Sequence, residues 1–351
     1  MHKVGKVIKV TTLGLLVLLL VSCGGAAPVS EANNDSNSID TTAANSSQKT
    51  VQQIFGGGPI GGTLQTFAET MSLIIADADP TLDILAQGTS GSEGNLREVN
   101  ANNAQYGIVY AGDVYLGARG QLSENEPPYI SARPVAALYG GVIQLVVSEA
   151  SGIQSVADLP GKRIAPGTAG SVGARSAERY FERLELWDQI NIESLGYPQA
   201  ALALSEGQID GFWVLAAFPN SSVAEAATMT KIRLIDTDTP AKEKGIYQVL
   251  PFYTPRVLPG GVYQGVTTDV SSFQDNALWV ANKDVPDELI YNALVAVFSE
   301  EGIKRLIEAH PVAAEMTIEH ALDGIFVPIH PGAAKFWQEQ GLKIPENIMP
   351  Q

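Results

Sequence analysis

The chain has 351 residues, a hydrophobic content of 45 % and a formal net charge of −16 at pH 7. This length is enough for about two domains, and so acidic a chain is poorly suited to nucleic acid, whose phosphates it would repel. The single cysteine, Cys23, excludes an internal disulfide, and four histidines argue against a histidine-rich metal cluster. We therefore expect no metal, no cofactor and no nucleic-acid partner.

The N-terminus has the pattern of a bacterial lipoprotein signal. Three lysines precede an apolar run from Leu13 to Val21, which suits a signal peptide and is short for a membrane-spanning helix of ~20 residues. The run leads into LVSC, which resembles a lipobox and ends at Cys23. The sequence predicts a signal peptide over residues 1–22 and lipidation of Cys23. An ordinary secretory signal with a chance cysteine is the alternative.

Residues 23–50 are rich in Ser, Asn, Ala and Thr and contain few large apolar side chains. Such a composition cannot bury a core and is typical of a flexible tether. Together with the predicted anchor, it indicates a folded body that is held to a membrane outside the cytoplasm, in the periplasm or at the cell surface.

From Val51 onwards, short apolar runs alternate with helical stretches. In chain order, VQQIF predicts a strand, TLQTFAETMSLIIAD a helix, TLDILAQG a strand, GSEGNLREVNAN a helix and AQYGIVYAG a strand. The run RPVAALYGGVIQLVVSEA predicts long strand structure, GKRIAPG a further strand and ARSAERYFERLEL a helix, and the alternation continues to GIKRLIEAH. This order predicts an α/β fold with mainly parallel sheets.

A glycine-rich turn, APGTAGSVG at 165–173, stands between a predicted strand and a predicted helix. The free N–H groups and the dipole of a helix start favour an anion, and Gly170 and Gly173 would let a ligand approach the backbone. Thr168 or Ser171 could cap the helix or donate to a ligand oxygen. Neither a Walker loop nor G-x-G-x-x-G is present, so the alternatives are a carboxylate site or a plain capped turn.

The chain also contains a weak internal repeat. The stretches IFGGGPIGGTLQTFAETM and RIAPGTAGSVGARSAERYF both read as strand, glycine-rich turn and helix. Two similar halves that face each other would place two helix starts across one cleft, which is a preferred location for ligands.

Several stretches of the body resemble the substrate-binding proteins of TRAP transporters of the TAXI type. They are TSGSEGNLREV at 89–99, the apolar run at 132–167, GSVGARSAERYFERLEL at 170–186, EGQIDGFW at 206–213, PFYTPRVLPGGVY at 251–263 and VPIHPGAAKFW at 327–337. The last two, in this order, are the most specific. The resemblance extends over residues 53–341.

The resemblance implies a two-lobed clamshell of the type II periplasmic-binding-protein class with two crossover strands. Lobe 1 would comprise 51–143 and 270–351, and lobe 2 would comprise 144–269. The implied function is capture of a small carboxylate, either an amino acid or an oxo or dicarboxylic acid, and its delivery to a TRAP-type permease without any chemistry. We expect a monomer. A lipoprotein of the same fold that senses a ligand and signals without transport is the alternative.

Backbone N–H groups at the start of the second-half helix are expected to hold the ligand carboxylate, and polar and aromatic residues at other strand ends are expected to complete the site. The expected ligand-binding residues are Gly62, Thr63, Ser92, Asn95, Tyr110, Thr168, Gly170, Ser171, Val172, Gly173, Trp213, Ala216 and Phe218. Their structural alternatives are capping and a solvated amide for the small polar residues and core packing for the aromatic ones. Arg175 is expected to form a surface or interdomain ion pair, and His330 to be structural.

Overall fold

The computed structural model describes residues 51–58, 62–123 and 125–350. The predicted signal peptide, the tether and Cys23 lie outside the described residues, and so do Pro59, Ile60 and Gly61, which precede the first helix.

Ten strands of the described chain join into one sheet. They are β1 (Val51–Gly56), β2 (Leu82–Gln87), β3 (Tyr106–Tyr110), β4 (Ala132–Ser148), β5 (Arg163–Ala165), β6 (Asn191–Ile192), β7 (Gly211–Ala216), β8 (Ile232–Ile235), β9 (Tyr253–Leu258) and β10 (Val270–Asn282). Their order is β2-β1-β3-β10-β4-β7-β5-β6, with β8 beside β4 and β9 beside β10. Strand β1 is parallel to β2 and β3, and β5 is parallel to β6 and β7, whereas β4 and β10 are antiparallel to their neighbours.

Helices follow most of the strands and cover the sheet. They are α1 (Thr63–Ala78), α2 (Ser92–Asn100), α3 (Ala111–Gly117), α4 (Val172–Arg183), α5 (Tyr197–Ser205), α6 (Ser221–Met229), α7 (Asp238–Glu243), α8 (Ile246–Val249), α9 (Asp287–Val297), α10 (Glu300–Ala309) and α11 (Pro331–Glu339). The predicted α/β fold is therefore confirmed. Within the described residues, none of these helices has the length and hydropathy needed to cross a membrane.

Two long strands connect the two parallel groups. Strand β4 has 17 residues and β10 has 13. The first part of β4 pairs with β10 and its last part pairs with β7, while β10 pairs first with β9 and then with β3. The predicted pair of crossover strands is thus confirmed. At the middle of β4, a Cβ on Gly141 would lie 2.5 Å from the Tyr110 ring, and one on Gly140 would collide with the Gln274 side chain.

An aromatic cluster attaches α4 to the sheet. Trp213 of β7 is fully buried, and its ring centroid lies 5.2 Å from those of Tyr180 and Phe181 and 6.2 Å from that of Phe273. Its indole Nε1 donates to the Ser176 hydroxyl at 2.8 Å. Burial of large aromatic side chains is a main source of packing energy, so this cluster determines where α4 lies relative to β7 and β10.

Because Trp213 fills the centre of that cluster, Trp213→Ala should lower the free energy of unfolding by about 3 to 5 kcal/mol. Urea denaturation followed by far-UV circular dichroism measures the loss. Trp187→Ala is the matched control, since Trp187 is only half-buried, and it should cost about 1 to 2 kcal/mol. Unchanged stability in Trp213→Ala, with only ligand affinity reduced, would contradict a core role for Trp213.

Candidate functional site

Helix α4 begins with a self-contained cap. The Ser171 hydroxyl accepts a hydrogen bond from the N–H of Ala174 at 3.1 Å, and the Ser171 carbonyl accepts from the N–H of Arg175 at 3.0 Å. Among the described residues, no acceptor contacts the N–H groups of Val172 and Gly173. The capping alternative therefore accounts for the Ser171 side chain, while two N–H groups in the first turn, here called the open N–H groups, make no hydrogen bond within the described residues.

The turn before α4 owes its shape to glycine. Gly167 has φ 125° and Gly170 has φ 75°, which are conformations that residues with a Cβ rarely adopt. Gly170 and Thr168 are exposed. Gly173 is buried, and a Cβ there would lie 2.5 Å from the Tyr197 hydroxyl. Gly167 and Gly170 therefore set the path of the chain into the helix, and the missing side chain at Gly173 leaves room for the Tyr197 hydroxyl.

The start of α1 has different neighbours. Gly62 is its N-cap and provides no side chain for capping. The Thr63 hydroxyl lies 3.5 Å from Nε2 of His310 at the end of α10, and burial lowers the pKa of His310. Among the described residues, no hydrogen bond or ion pair joins the starts of α1 and α4. Ligand contact by Gly62 and Thr63 stays a prediction.

Ser92 and Asn95 lie on one face of α2, as predicted, and both are buried. The Ser92 hydroxyl donates to Oδ2 of Asp113 at 2.6 Å and accepts from the N–H of Tyr110 at 2.9 Å. The Asn95 amide donates to the carbonyls of Gly57 (2.6 Å) and Ile108 (2.8 Å). Neither the N-cap nor the solvated-amide alternative describes these residues, because both fasten α2 to the sheet.

The remaining predicted residues occupy the ends and centres of strands. Tyr110 ends β3 and is buried, and burial raises its pKa. Trp213 lies in the middle of β7, not at its end as predicted. Ala216 does end β7 and is half-buried, and the Phe218 ring lies 5.6 Å from the guanidinium carbon of Arg256.

Arg175 connects the start of α4 to α2 and α3. Its Nη1 donates to the Gly170 carbonyl at 2.5 Å and pairs with the Glu93 carboxylate, while Nη2 lies 3.5 Å from Oδ2 of Asp113. The expectation that Arg175 forms an ion pair is confirmed. The Arg175 guanidinium contacts both the turn before α4 and the acidic side chains of α2 and α3. The open N–H groups of α4 therefore lie close to an acidic surface on α2 and α3.

Asp275 of β10 adds a second buried carboxyl to this surface. Its Oδ1 accepts from the N–H of Gly112 at 3.0 Å. Burial, and then the charge of Asp113, raise the pKa of Asp275 to about 8. The carboxyl of Asp275 is therefore largely protonated at pH 7.

The model of a protein family described as the NMT1-like family matches residues 55–341. The chain belongs to the NMT1-like family. Membership of the TAXI type within TRAP systems stays a prediction.

The chain is also similar to several solved structures, each with low sequence identity. The periplasmic aliphatic sulphonate binding protein SsuA from Escherichia coli is 15 % identical, with 82 % of this chain and 90 % of that chain covered and a TM-score of 0.45. MatC from Rhodopseudomonas palustris with bound malate is 16 % identical, with 83 % and 96 % covered and a TM-score of 0.46. The GluR0 ligand-binding core from Nostoc punctiforme in complex with (L)-glutamate is 13 % identical, with 73 % and 97 % covered and a TM-score of 0.43. Similarity this low carries no information about the ligand.

The charged residues that surround Arg175 in this NMT1-like protein were not predicted from the sequence. Glu93 and Asp113 sit in helices whose sequence does not distinguish them from solvated acids. Asp275 had no clear signal either, because its neighbours in β10, Gln274 and Asn276, are polar as well. Among the described residues, no group of histidine, cysteine and acidic side chains could hold a metal ion.

The buried carboxyl of Asp275 should make stability depend on pH. In the unfolded chain this group ionises near its ordinary value of 3.8, and in the folded chain only near about 8. Its stabilising contribution is therefore complete below pH ~4 and is lost as the pH rises towards ~8. Between pH 5 and 8.5, the wild type should lose about 2 to 4 kcal/mol more unfolding free energy than Asp275→Asn.

Urea denaturation at the two pH values measures this difference. Asp83→Asn is the matched control, because Asp83 is an exposed acid on β2, and it should keep the wild-type pH dependence. Parallel curves for the wild type and Asp275→Asn would show that Asp275 is ionised in the folded protein.

Proposed function

We propose that this protein is an extracytoplasmic solute-binding lipoprotein that captures a small carboxylate and delivers it to a TRAP-type permease. The observation that carries the proposal is the pair of open N–H groups at Val172 and Gly173, which lie at the start of a helix of 12 residues and close to the opposing helices α2 and α3. The ligand would be an amino acid or an oxo or dicarboxylic acid, and it would leave chemically unchanged.

The physical basis is the attraction of a helix start for negative charge. Two N–H groups and the positive end of the helix dipole converge where the carboxylate would lie. Each charge-assisted hydrogen bond contributes about 1.5 to 3 kcal/mol. Two such bonds would orient a carboxylate towards α4, so the rest of the solute would face Tyr110 and the α2–α3 surface.

Capture would involve two lobes, 51–143 with 270–351 and 144–269, which move about the crossover strands β4 and β10. A solute that contacts both lobes shifts the population towards the closed arrangement by its differential affinity for that arrangement. The permease would recognise the closed form. Lipidation at Cys23 and the tether over 23–50 would keep the body near the membrane while it turns freely.

A single substitution tests the proposed anion site without disturbing the helix. Val172 is the first residue of α4, where proline is well tolerated and merely removes the N–H group. The preceding residue, Ser171, already has φ −70° and ψ 157°, which suit a residue before proline. Val172→Pro should therefore keep the fold and raise the Kd for a bound carboxylate about 10- to 100-fold.

The measurement is a thermal-shift screen of L-glutamate, 2-oxoglutarate, malate and succinate, followed by calorimetric titration of any acid that stabilises the protein. A solute at about 100 times its Kd should add about 2.7 kcal/mol of stability. Glu300→Pro, at the first position of α10, is the matched control and should leave the Kd unchanged. Equal affinities for the wild type and Val172→Pro would overturn the proposed carboxylate site.

A further inference from the structure

A second arginine follows Arg175 on the same face of α4. Arg179 lies one helical turn further along and donates through Nε and Nη2 to the Tyr253 hydroxyl, at 3.4 Å each. Burial acts to lower the pKa of Arg179, and its interactions with Tyr253, Asp113 and Asp275 outweigh that effect, so the pKa is raised overall. The Arg179 guanidinium therefore stays charged while it is partly withdrawn from water.

The charges at this contact are paired. The Arg175 guanidinium pairs with Glu93 and Asp113, and Glu93 also pairs with Arg97 of α2. The Arg175 side chain is 19 % exposed, Glu93 is 14 % exposed and Asp113 is 0 % exposed. Buried charges are tolerated when they are paired in this way. The ion pairs of Arg175 therefore hold α4 against α2 and α3.

The pairing is nevertheless incomplete. In the described residues, three buried polar atoms lack any hydrogen-bond partner at this contact: Oδ1 of Asp113, Oδ2 of Asp275 and Nε of Arg175. Each such atom carries an uncompensated desolvation cost of about 1 to 3 kcal/mol. The contact is therefore attractive but imperfectly paired.

We propose that Arg175 of α4, with Glu93 and Asp113, forms an interlobe clamp that holds the two lobes close to balance between open and closed. The inference rests on the proposed function, because it assigns these residues to the closing step of solute capture. They are positioning residues. Their effect on affinity comes from the fraction of protein that is already closed, since the apparent Kd equals the intrinsic Kd divided by that fraction.

A second ion pair between the two lobes, Arg256 with Glu315, provides a comparison for the Arg175 contact. Arg256 of β9 pairs with Glu315 at 2.6 Å, and Glu315 also accepts from the N–H of Gly140 in crossover strand β4 at 3.0 Å. Both members of this pair are about one-third exposed, so its ions remain hydrated and should contribute little. Arg256→Gln is therefore a matched comparison: an interlobe ion pair of the same chemistry at an exposed position.

The clamp can be tested before a solute is known, by measuring the distance between lobes in the full chain. Glu98→Cys on α2 and Glu182→Cys on α4 place nitroxide labels at exposed positions, and Cys23→Ser removes the one native cysteine. Pulsed electron paramagnetic resonance should show a short and a long distance. In Arg175→Gln the share of the short distance should fall at least threefold, and in Arg256→Gln it should change less than 1.5-fold.

Glu93→Gln provides the reciprocal variant, in case Arg175→Gln lowers stability. It should produce a shift towards the long distance, and adding it to Arg175→Gln should produce little further change, because both remove the Arg175–Glu93 ion pair and the other partner of Glu93, Arg97, lies on the same helix. Distance distributions that are unchanged by Arg175→Gln and by Glu93→Gln would overturn the clamp. Equal shifts in Arg175→Gln and Arg256→Gln would also overturn it, since the α4 contact would then have no special role.

The same labelled protein separates the clamp from the proposed function. Addition of L-glutamate, 2-oxoglutarate, malate or succinate at about 10 mM, which exceeds the usual Kd range, should increase the share of the short distance in the wild type. Shifts in the clamp variants without any response of the wild type to these acids would support the clamp and count against the proposed solutes. A response of the wild type with no effect of the clamp variants would support solute capture and overturn the clamp.

Discussion

The contact between the start of α4 and helices α2 and α3 is the interaction on which the proposed site depends. Arg175 makes this contact by reaching from the Gly170 carbonyl to Glu93 and Asp113. A guanidinium group is only a few ångströms wide, so the open N–H groups of α4 must lie beside the opposing helices. Charges leave water at acceptable cost only when they are paired, and neither side of this contact would be buried alone without a penalty.

Behind this contact, a buried polar network fixes the acidic side to the sheet. Ser92 ties the end of β3 to Asp113, and Asn95 ties α2 to the carbonyls of Gly57 and Ile108. These groups are satisfied inside the protein, so they give α2 and α3 a defined position. The α4 side rests on apolar packing around Trp213. The two sides of the contact are therefore held in place by different interactions, the acidic side by buried hydrogen bonds and the α4 side by apolar packing.

Several residues expected to touch a ligand serve the fold in ways that sequence could not separate from ligand binding. Small hydroxyl and amide side chains after parallel strands are typical both of ligand sites and of networks that close strand-to-helix turns. Ser171 and Asn95 belong to the second kind, because their donors and acceptors meet backbone groups of the protein. The type of residue was predictable at these positions, and the direction of its hydrogen bonds was not.

The sequence by itself determined the α/β alternation, the long strand β4, the glycine-rich turn before α4 and the ion-pairing character of Arg175, because all of these depend on local periodicity and composition. The tertiary structure alone decided which charges meet. Glu93, Asp113, Arg179 and Asp275 come from four separate elements, and they converge only because the sheet order places β10 and β4 between the two parallel groups. Such pairing depends on strand order and helix packing, which leave no mark on any short stretch of the chain.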